Sequence, residues 1–126
     1  MEMVIGGAFQ GKAACAEKMY PGISWVKGEE ISREELFTAQ GVVGFHDFIK
    51  KEMEAGNSVA DLAEELIRKN PEVILVSDGV GYGVVPTDAF QRAYREAVGR
   101  VCTQLASCSR KVTRVVCGIG TALKHD

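Results

Sequence analysis

Apolar residues along the chain form short continuous runs, separated by longer segments in which they recur with helical spacing. Runs of about four to eight apolar or β-branched residues bounded by turn residues are typical of strands. The clearest is EVILVS, whose uninterrupted pattern is that of a parallel strand covered on both faces. The pattern predicts four strands, at residues 1–5, 23–26, 72–77 and 111–120.

The first and last helices have clear ends in the sequence. Good helix formers over residues 12–20 predict the first helix, which Pro21 and Gly22 end because the residue before a proline is pushed out of helical geometry. The longest helix is expected to start with a cap at Thr87 or Asp88 and to continue with a sustained apolar stripe.

The segment between these helices carries further helix signals. Ser32 and Glu35 have the spacing of a capping box, which predicts a helix start. The apolar stripe that follows predicts one helix or two helices with a kink, since Gly41 and Gly44 interrupt it. A further helix is predicted to open at Ser58.

Strands that alternate with helices predict an α/β fold with a mostly parallel sheet and helices on both faces. The residues after 120 are interpreted as a polar end. The chain has no repeat, linker or low-complexity segment, and 126 residues suffice to bury a core. Residues 1–126 are therefore predicted to form a single domain.

Composition and charge exclude several classes of partner. Fifteen Lys+Arg against 17 Asp+Glu leave no basic excess to neutralise a nucleic acid. No apolar run approaches the roughly 18 residues of a membrane span, and no signal-peptide pattern is present. We expect a cytoplasmic protein without a nucleic-acid or membrane partner.

Cysteine usage agrees with a reducing compartment. The four cysteines form no CxxC pair and have only two histidines as co-ligands, so zinc is not expected. They are interpreted as small apolar residues in or near the core. They are Cys15, Cys102, Cys108 and Cys117.

A glycine loop near the start has the spacing of a phosphate-binding loop, GxxxxGK[ST], except that Ala13 stands where Ser or Thr is expected. Such loops bind phosphate through backbone N–H groups, the helix N-terminus and the lysine, whereas alanine cannot coordinate Mg²⁺. The alternative is a tight strand-to-helix turn whose glycines serve packing only. The candidate nucleotide- or phosphate-binding residues are Gly6, Gly7, Ala8, Phe9, Gln10, Gly11, Lys12 and Ala13.

A second glycine loop follows the buried strand 72–77. Ligands of open α/β sheets bind at the carboxyl edge, where the two loops would converge. Asp78 ends that strand, so Lys12 and Asp78 are candidate catalytic residues, with Asp78 holding Mg²⁺ or positioning the attacking hydroxyl. The aromatic rings of Phe9 and Tyr82 could stack on a base or a corrin edge. The candidate substrate loop is Gly79, Val80, Gly81, Tyr82 and Gly83.

Four ordered segments carry a family resemblance: VIGGAFQGK, VILVSDGVGYGVVP, AYREAVGRV and VVCGIGTALK. In order and spacing they resemble the adenosylcobinamide kinase / adenosylcobinamide-phosphate guanylyltransferase family of cobalamin biosynthesis, over residues 1–20 and 72–124. The resemblance implies a P-loop NTPase (RecA-like) fold, GTP or ATP as the nucleotide, Mg²⁺ as a metal, and homo-oligomers. That family phosphorylates a hydroxyl of adenosylcobinamide and then transfers GMP through a guanylylated histidine.

The sequence departs from the family's pattern at polar positions. The family's serine after the loop lysine is Ala13, its Asn-Glu pair is Asp78-Gly79, and its Asn-Gln pair in the long helix is Cys102-Thr103. The insert that carries the family's nucleophilic histidine is reduced to residues 19–22. Guanylyl transfer by the family's route is therefore not expected.

His46 lies in a different segment, beside an apolar stripe, and is interpreted as structural or exposed, because a nucleophilic histidine needs an orienting partner. Arg92 and Arg95 fall on one face of the long helix. They are interpreted as a solvated face, with Arg92 pairing to Glu96. The alternative, phosphate contacts across a subunit boundary, rests on the resemblance.

Two hypotheses for function follow from this pattern. The first is a divergent family member that binds GTP or ATP and transfers phosphate to a cobinamide hydroxyl. The second is a catalytically inactive nucleotide- or corrinoid-binding module with a regulatory role, because several polar positions of the family have been lost. A scaffold subunit for a complete partner enzyme is a third hypothesis.

Overall fold

The computed structural model describes residues 1–7, 10–78 and 88–125. In these ranges the chain forms six strands and five helices, which alternate except that α4 follows α3 and β6 follows β5. They are β1 (Glu2–Gly6), α1 (Lys12–Met19), β2 (Trp25–Lys27), α2 (Arg33–Leu36), β3 (Gly41–Val43), α3 (Phe45–Glu54), α4 (Leu62–Lys69), β4 (Ile74–Asp78), α5 (Ala89–Cys108), β5 (Lys111–Val116) and β6 (Ile119–His125).

The strands form one sheet in the order β2-β3-β4-β1-β5-β6. All neighbouring strands are parallel except β5 and β6, which pair antiparallel. The carboxyl ends of β3, β4 and β1 therefore lie side by side at one edge of the sheet. This is the edge at which open α/β sheets bind ligands.

Helices cover both faces of the sheet because alternate strand residues point to opposite sides. On one face, Met3 and Leu75 belong to a large core with α2 to α5. On the other face, Val4 and Val76 pack against Ala16 of α1 in a smaller core. The predicted α/β class, a mostly parallel sheet with helices on both faces, is confirmed. None of the helices in the described ranges is long and apolar enough to cross a membrane.

The segment around Gly41 corrects one prediction. A kinked helix was expected there, but Gly41–Val43 forms strand β3 between β2 and β4. A Cβ atom at Gly41 would lie 2.6 Å from the Trp25 ring, so glycine allows the two strands to pair. Gly44 then adopts φ 72° and begins α3. Two helices are therefore present, with a strand in place of the kink.

The C-terminal segment corrects a second prediction. The expected single strand over residues 111–120 and the polar end form an antiparallel hairpin of β5 and β6. Its two-residue turn is Cys117-Gly118, and both residues have positive φ, 51° and 77°. Such turns match the twist of the flanking strands, which explains why the chain reverses here.

Two helix caps agree with the sequence. Ser32 and Glu35 form the predicted capping box at the start of α2. The Asp88 carboxylate caps α5 by accepting bonds from the N–H groups of Phe90 and Gln91, at 2.7 and 3.1 Å. The alternative cap, Thr87, lies outside the described residues. Helix α4 begins at Leu62, a few residues later than the predicted start at Ser58.

Candidate functional site

The sheet brings the first glycine loop and the end of β4 together. Strands β1 and β4 pair in parallel, with Gly6 directly opposite Asp78. The loop after Gly6 leads into α1, whose first residue is Lys12. The strand register and the loop thus place Lys12 and Asp78, which are 66 positions apart in sequence, at one point of the carboxyl edge.

Lys12 and Asp78 form an ion pair at this point. The Lys12 Nζ atom lies 2.5 Å from Asp78 Oδ1 and donates a hydrogen bond to the Gly7 carbonyl at 2.7 Å. The Lys12 side chain is 9% exposed and that of Asp78 28% exposed. The ammonium is therefore held inside the glycine loop, beside the carboxylate that ends β4.

Two glycines of the loop are required by its geometry. A Cβ atom at Gly6 would lie 2.6 Å from the Val115 carbonyl oxygen, so a side chain there would push β1 and β5 apart. Gly11 caps α1 with φ 80°, a conformation that strains other residues. Cys15 N–H makes the first α1 bond, to Gly11 C=O. The three preceding helical amides, of residues 12–14, thus have no intrahelical acceptor and face the loop end.

Gln10 fastens the loop to the C-terminal hairpin. Its side-chain Oε1 accepts a bond from Cys117 N–H at 2.7 Å, and its carbonyl accepts one from Gly118 N–H, also at 2.7 Å. The hairpin, which was not predicted from the sequence, therefore supports the first glycine loop, which was predicted. This contact joins two segments 107 residues apart.

His46 also lies at this edge, which the sequence did not indicate. It stands in the first turn of α3, directly after β3, and its side chain is 16% exposed. Its Nδ1 atom accepts a hydrogen bond from Asp78 N–H at 3.0 Å, and its Nε2 atom lies 3.3 Å from Asp78 Oδ2. His46 was interpreted as structural or exposed from its sequence, and the pairing of β3 with β4 brings it to this edge.

These residues line a cavity of about 330 Å³ at the carboxyl edge. That volume is at the small end for ligand pockets, which usually measure about 300 to 1,000 Å³. It suits a phosphate chain better than a whole corrinoid. The lining is Gln10, Gly11, Lys12, Ala13, Ala14, Val43, Gly44, His46, Asp47, Val76 and Asp78.

The charged groups of the cavity fit a metal-bound phosphate. Asp47 Oδ1 and Asp78 Oδ2 both approach His46 Nε2, at 3.6 and 3.3 Å. Carboxylate oxygens are preferred ligands of Mg²⁺, which usually binds one or two carboxylates together with phosphate oxygens and water. In the described part of the chain, no group of three or more His, Cys, Asp or Glu side chains could hold a metal alone. Asp47 and Asp78 are therefore the carboxylates of this cavity that would hold a Mg²⁺ ion.

The sequence-predicted site residues divide into three groups. The structure brings Gly6, Gly7, Gln10, Gly11, Lys12, Ala13 and Asp78 together at the carboxyl edge. Arg92 and Arg95 lie on α5 and do not belong to the lining formed by the described residues. The remaining candidates, Ala8, Phe9 and Gly79 to Gly83, lie outside the described residues.

Cys102, one of the positions that differ from the family's pattern, faces the end of β4. Its thiol lies 3.9 Å from Ser77 Oγ, and burial raises its pKa to about 11 from an ordinary value of 9.0. The thiol therefore stays neutral near physiological pH and is not an activated nucleophile.

This raised pKa predicts a pH dependence of stability. The neutral Cys102 thiol contributes its full share of the free energy of unfolding below about pH 9. This contribution is lost as the pH rises to about 11, because the thiol ionises first in the unfolded chain. We expect the free energy of unfolding to fall on the order of 2 kcal/mol across this window. Urea denaturation at pH values below and above it measures the change. Cys102→Ala should reduce the fall and exposed Cys108→Ala should not; equal falls would contradict the assignment.

Comparison with known proteins identifies the family. A sequence profile described as "Cobinamide kinase / cobinamide phosphate guanyltransferase" (CobU) matches residues 36–123, more than two thirds of the chain. The chain belongs to this family. The family resemblance read from the motifs is therefore confirmed. The matched segment begins after the first glycine loop, so the assignment of that loop rests on its geometry and its spacing.

Two relatives carry the name "Bifunctional adenosylcobalamin biosynthesis protein CobU". The protein of Escherichia coli is 35% identical over 78 residues, and that of Salmonella typhimurium is 33% identical over 78 residues. Each alignment covers 62% of this chain and 43% of the relative. The chain thus spans less than half the length of the relatives it matches.

Proposed function

We propose that this family member binds the phosphates of GTP or ATP at the first glycine loop and transfers the terminal phosphate to a hydroxyl of adenosylcobinamide. The observation that carries the proposal is the Lys12–Asp78 pair inside the loop, at the end of a cavity lined by the first amides of α1. Family membership supplies the acceptor class, since the relatives are named for adenosylcobalamin biosynthesis.

The ion pair between Lys12 and Asp78 must rearrange when the ligand binds. Lys12 exchanges the carboxylate for phosphate oxygens, which leaves Asp78 free to hold Mg²⁺ or to position the acceptor hydroxyl. The formal charges of the lining, one lysine against two aspartates, disfavour a free anion and favour a phosphate that brings its own cation. When bound, Mg²⁺ would neutralise charge on the transferring phosphate.

The reaction needs few groups from the protein. The hydroxyl oxygen of the acceptor attacks the terminal phosphorus while the bond to the bridging oxygen breaks, which leaves a nucleoside diphosphate and a phosphate ester. Lys12 and the amides of residues 12–14 stabilise the charge on the phosphate. Transfer of GMP is not part of the proposal, because residues 20–24, between α1 and β2, contain no histidine.

The proposal is tested by calorimetric titration with GTP and with ATP in the presence of Mg²⁺, followed by a radiolabelled phosphate-transfer assay with adenosylcobinamide. Binding and transfer above background support it. Tight binding without transfer supports instead the inactive binding module, which the missing hydroxyl at Ala13 favours. Absence of binding by both nucleotides would overturn both.

The hydroxyl that the loop lacks gives a gain-of-function prediction. Ala13→Ser restores the usual Mg²⁺ ligand at a position that already lines the cavity. We expect Mg²⁺-nucleotide affinity to rise about tenfold, or about 1.4 kcal/mol, with no change in EDTA. Ala55→Ser is the matched control, since it adds the same group at an exposed position that is not part of the cavity lining. An equal gain in EDTA, or in the control, would contradict the metal-ligand role.

Three expectations from the sequence stay predictions: a single domain, a cytoplasmic location and assembly into homo-oligomers. The C-terminal hairpin offers a surface for self-association through its exposed apolar side chains Val116, Ile119 and Leu123, which are 47%, 70% and 58% exposed. Such side chains are costly to leave in water. Sedimentation analysis of the full chain measures the oligomeric state.

A further inference from the structure

We propose that Gln10 is a positioning residue that fixes the peptide bond between Gln10 and Gly11, with its carbonyl toward the C-terminal hairpin and its N–H toward the cavity at the carboxyl edge. The proposal rests on the proposed function, since it concerns the loop that would bind the nucleotide. It assigns the Gln10 side chain to a contact within the protein, and it assigns the Gly11 amide to the phosphates.

The turn of the C-terminal hairpin contains two N–H groups that the hairpin itself cannot use. In a two-residue turn the carbonyl before the turn accepts from the N–H after it, so the two central amides need acceptors elsewhere. Here the central residues are Cys117 and Gly118, between the paired residues Val116 and Ile119. Gln10 satisfies both, because its side-chain Oε1 accepts from Cys117 N–H and its carbonyl accepts from Gly118 N–H, each at 2.7 Å.

The bond from Gly118 N–H sets the direction of the Gln10 carbonyl. The C=O and N–H groups of a trans peptide point to opposite sides, so Gly11 N–H points away from the hairpin. The hairpin lies on one side of β1 and β4 lies on the other. Gly11 lines the cavity together with Asp78, the last residue of β4. Its amide is thereby added to those of residues 12–14 as a donor to phosphate.

The backbone of the loop does not fix this orientation by itself. Gly11 has a φ of 80°, and glycine adopts positive and negative φ almost equally well. Reversing the peptide changes mainly ψ of Gln10 and φ of Gly11, so glycine at this position allows the reversal. A reversed peptide would direct its carbonyl dipole into a cavity that already contains Asp47 and Asp78, and would repel phosphate. The contacts to the hairpin therefore select the orientation that suits an anion.

The hairpin is a firm support because it packs against both ends of the loop. Val115 of β5 is fully buried, and a Cβ atom at Gly6 would lie 2.6 Å from its carbonyl oxygen. At the other end of the loop, a Cβ atom at Gly11 would lie 3.4 Å from Gly118 Cα. Gln10 makes its two bonds between these contacts, so it holds the loop against a surface that is already in place.

Two variants of Gln10 separate positioning from direct contact with the ligand. Gln10→Met keeps the length of the side chain and removes the acceptor, whereas Gln10→Glu keeps an acceptor oxygen and adds a negative charge. In titrations with Mg²⁺ and GTP, we expect Gln10→Met to bind about tenfold more weakly than the wild type, and Gln10→Glu to bind more tightly than Gln10→Met. A side chain that donates to phosphate gives the reverse order, because a carboxylate repels the anion, and that order would overturn the proposal.

Gln40→Met is the matched control for a merely structural role. Gln40 also accepts a backbone N–H bond through its side-chain oxygen, from Ser24 at 2.8 Å, and it is not part of the cavity lining. Both methionine variants are expected to lower the urea midpoint of unfolding by similar amounts. Only Gln10→Met should lose nucleotide affinity, and equal affinities of the two variants would show that Gln10 serves the fold alone.

Hydrogen exchange of the unliganded chain tests the orientation without a nucleotide. If the side-chain bond holds the peptide, Gln10→Met releases the carbonyl as well, and the amides of Cys117 and Gly118 both exchange at least about tenfold faster than in the wild type. The amide of Thr113, further along β5, should keep its rate. A Gly118 amide that keeps its wild-type protection would overturn the proposal, since the peptide would then hold its orientation without the side chain.

Failure of the proposed function and failure of the Gln10 role give different results. If the wild-type chain binds neither GTP nor ATP with Mg²⁺, the proposed function fails and the role of Gln10 in binding fails with it, whatever hydrogen exchange shows. If the wild type binds and Gln10→Met binds equally well, only the role of Gln10 is overturned.

Discussion

Replacing Lys12 by alanine is expected to weaken the binding of Mg²⁺-GTP or Mg²⁺-ATP by about a hundredfold, close to 3 kcal/mol. Two effects act in the same direction. The substitution removes a cation that is only 9% exposed and lies inside the glycine loop, and it leaves Asp78 without the partner at 2.5 Å that offsets its charge. An uncompensated carboxylate repels phosphate. Isothermal titration calorimetry measures the change.

Lys18→Ala is the matched control, since Lys18 is an exposed lysine at the other end of the same helix. It should bind nucleotide as the wild type does. Lys12→Ala combined with Asp78→Asn removes the ion pair as a unit and separates the lost attraction from the new repulsion. Unchanged affinity in Lys12→Ala would show that phosphate binds elsewhere, if at all.

Replacing Gly28 by alanine is expected to destabilise the fold by at least about 3 kcal/mol. A Cβ atom there would lie 2.2 Å from the Gly44 carbonyl oxygen and 3.2 Å from Phe48 Cβ. The Gly44 backbone cannot give way easily, because it adopts φ 72° and starts α3. Gly28 N–H also bonds the Val43 carbonyl at 2.8 Å, so the clash would disturb the end of β3.

Gly99→Ala is the matched control for Gly28→Ala. Gly99 lies inside α5, and apart from the nearby backbone of its own helix no heavy atom lies within 4 Å of the Cβ position that alanine would add. Alanine should therefore stabilise the chain by about 0.5 to 1 kcal/mol, since glycine costs more conformational entropy in a helix. Urea denaturation followed by circular dichroism measures both variants. A Gly28→Ala variant as stable as the wild type would contradict the packing described here.

The parts of the fold that the sequence predicts are those whose signal is local. The run that forms β4 is buried on both faces, and its uninterrupted apolar pattern indicates this without information from the rest of the chain. The capping box at Ser32 and the cap at Asp88 are short patterns with one physical cause. The proximity of Lys12 and Asp78 follows from a general rule. Lys12 comes after β1 and Asp78 ends β4, and parallel strands end at the same edge of a sheet.

The missed parts depend on contacts between distant segments. Strand β3 has only three residues, and its identity comes from pairing with β2 and β4. The hairpin turn Cys117-Gly118 lacks the usual Asn-Gly signal, yet it closes and supports Gln10. His46 reaches the site only because β3 adjoins β4, which no pattern within α3 reveals. Pairing between distant segments therefore explains both the errors in the predicted fold and the absence of His46 from the predicted site.

The most direct test of the central claim is a crystal structure of the chain with GTP and Mg²⁺. We expect phosphate oxygens within hydrogen-bond distance of Lys12 Nζ and of the amides of residues 12–14, with Lys12 released from Asp78. A nucleotide bound elsewhere, with the Lys12–Asp78 pair intact at its present 2.5 Å, would contradict it.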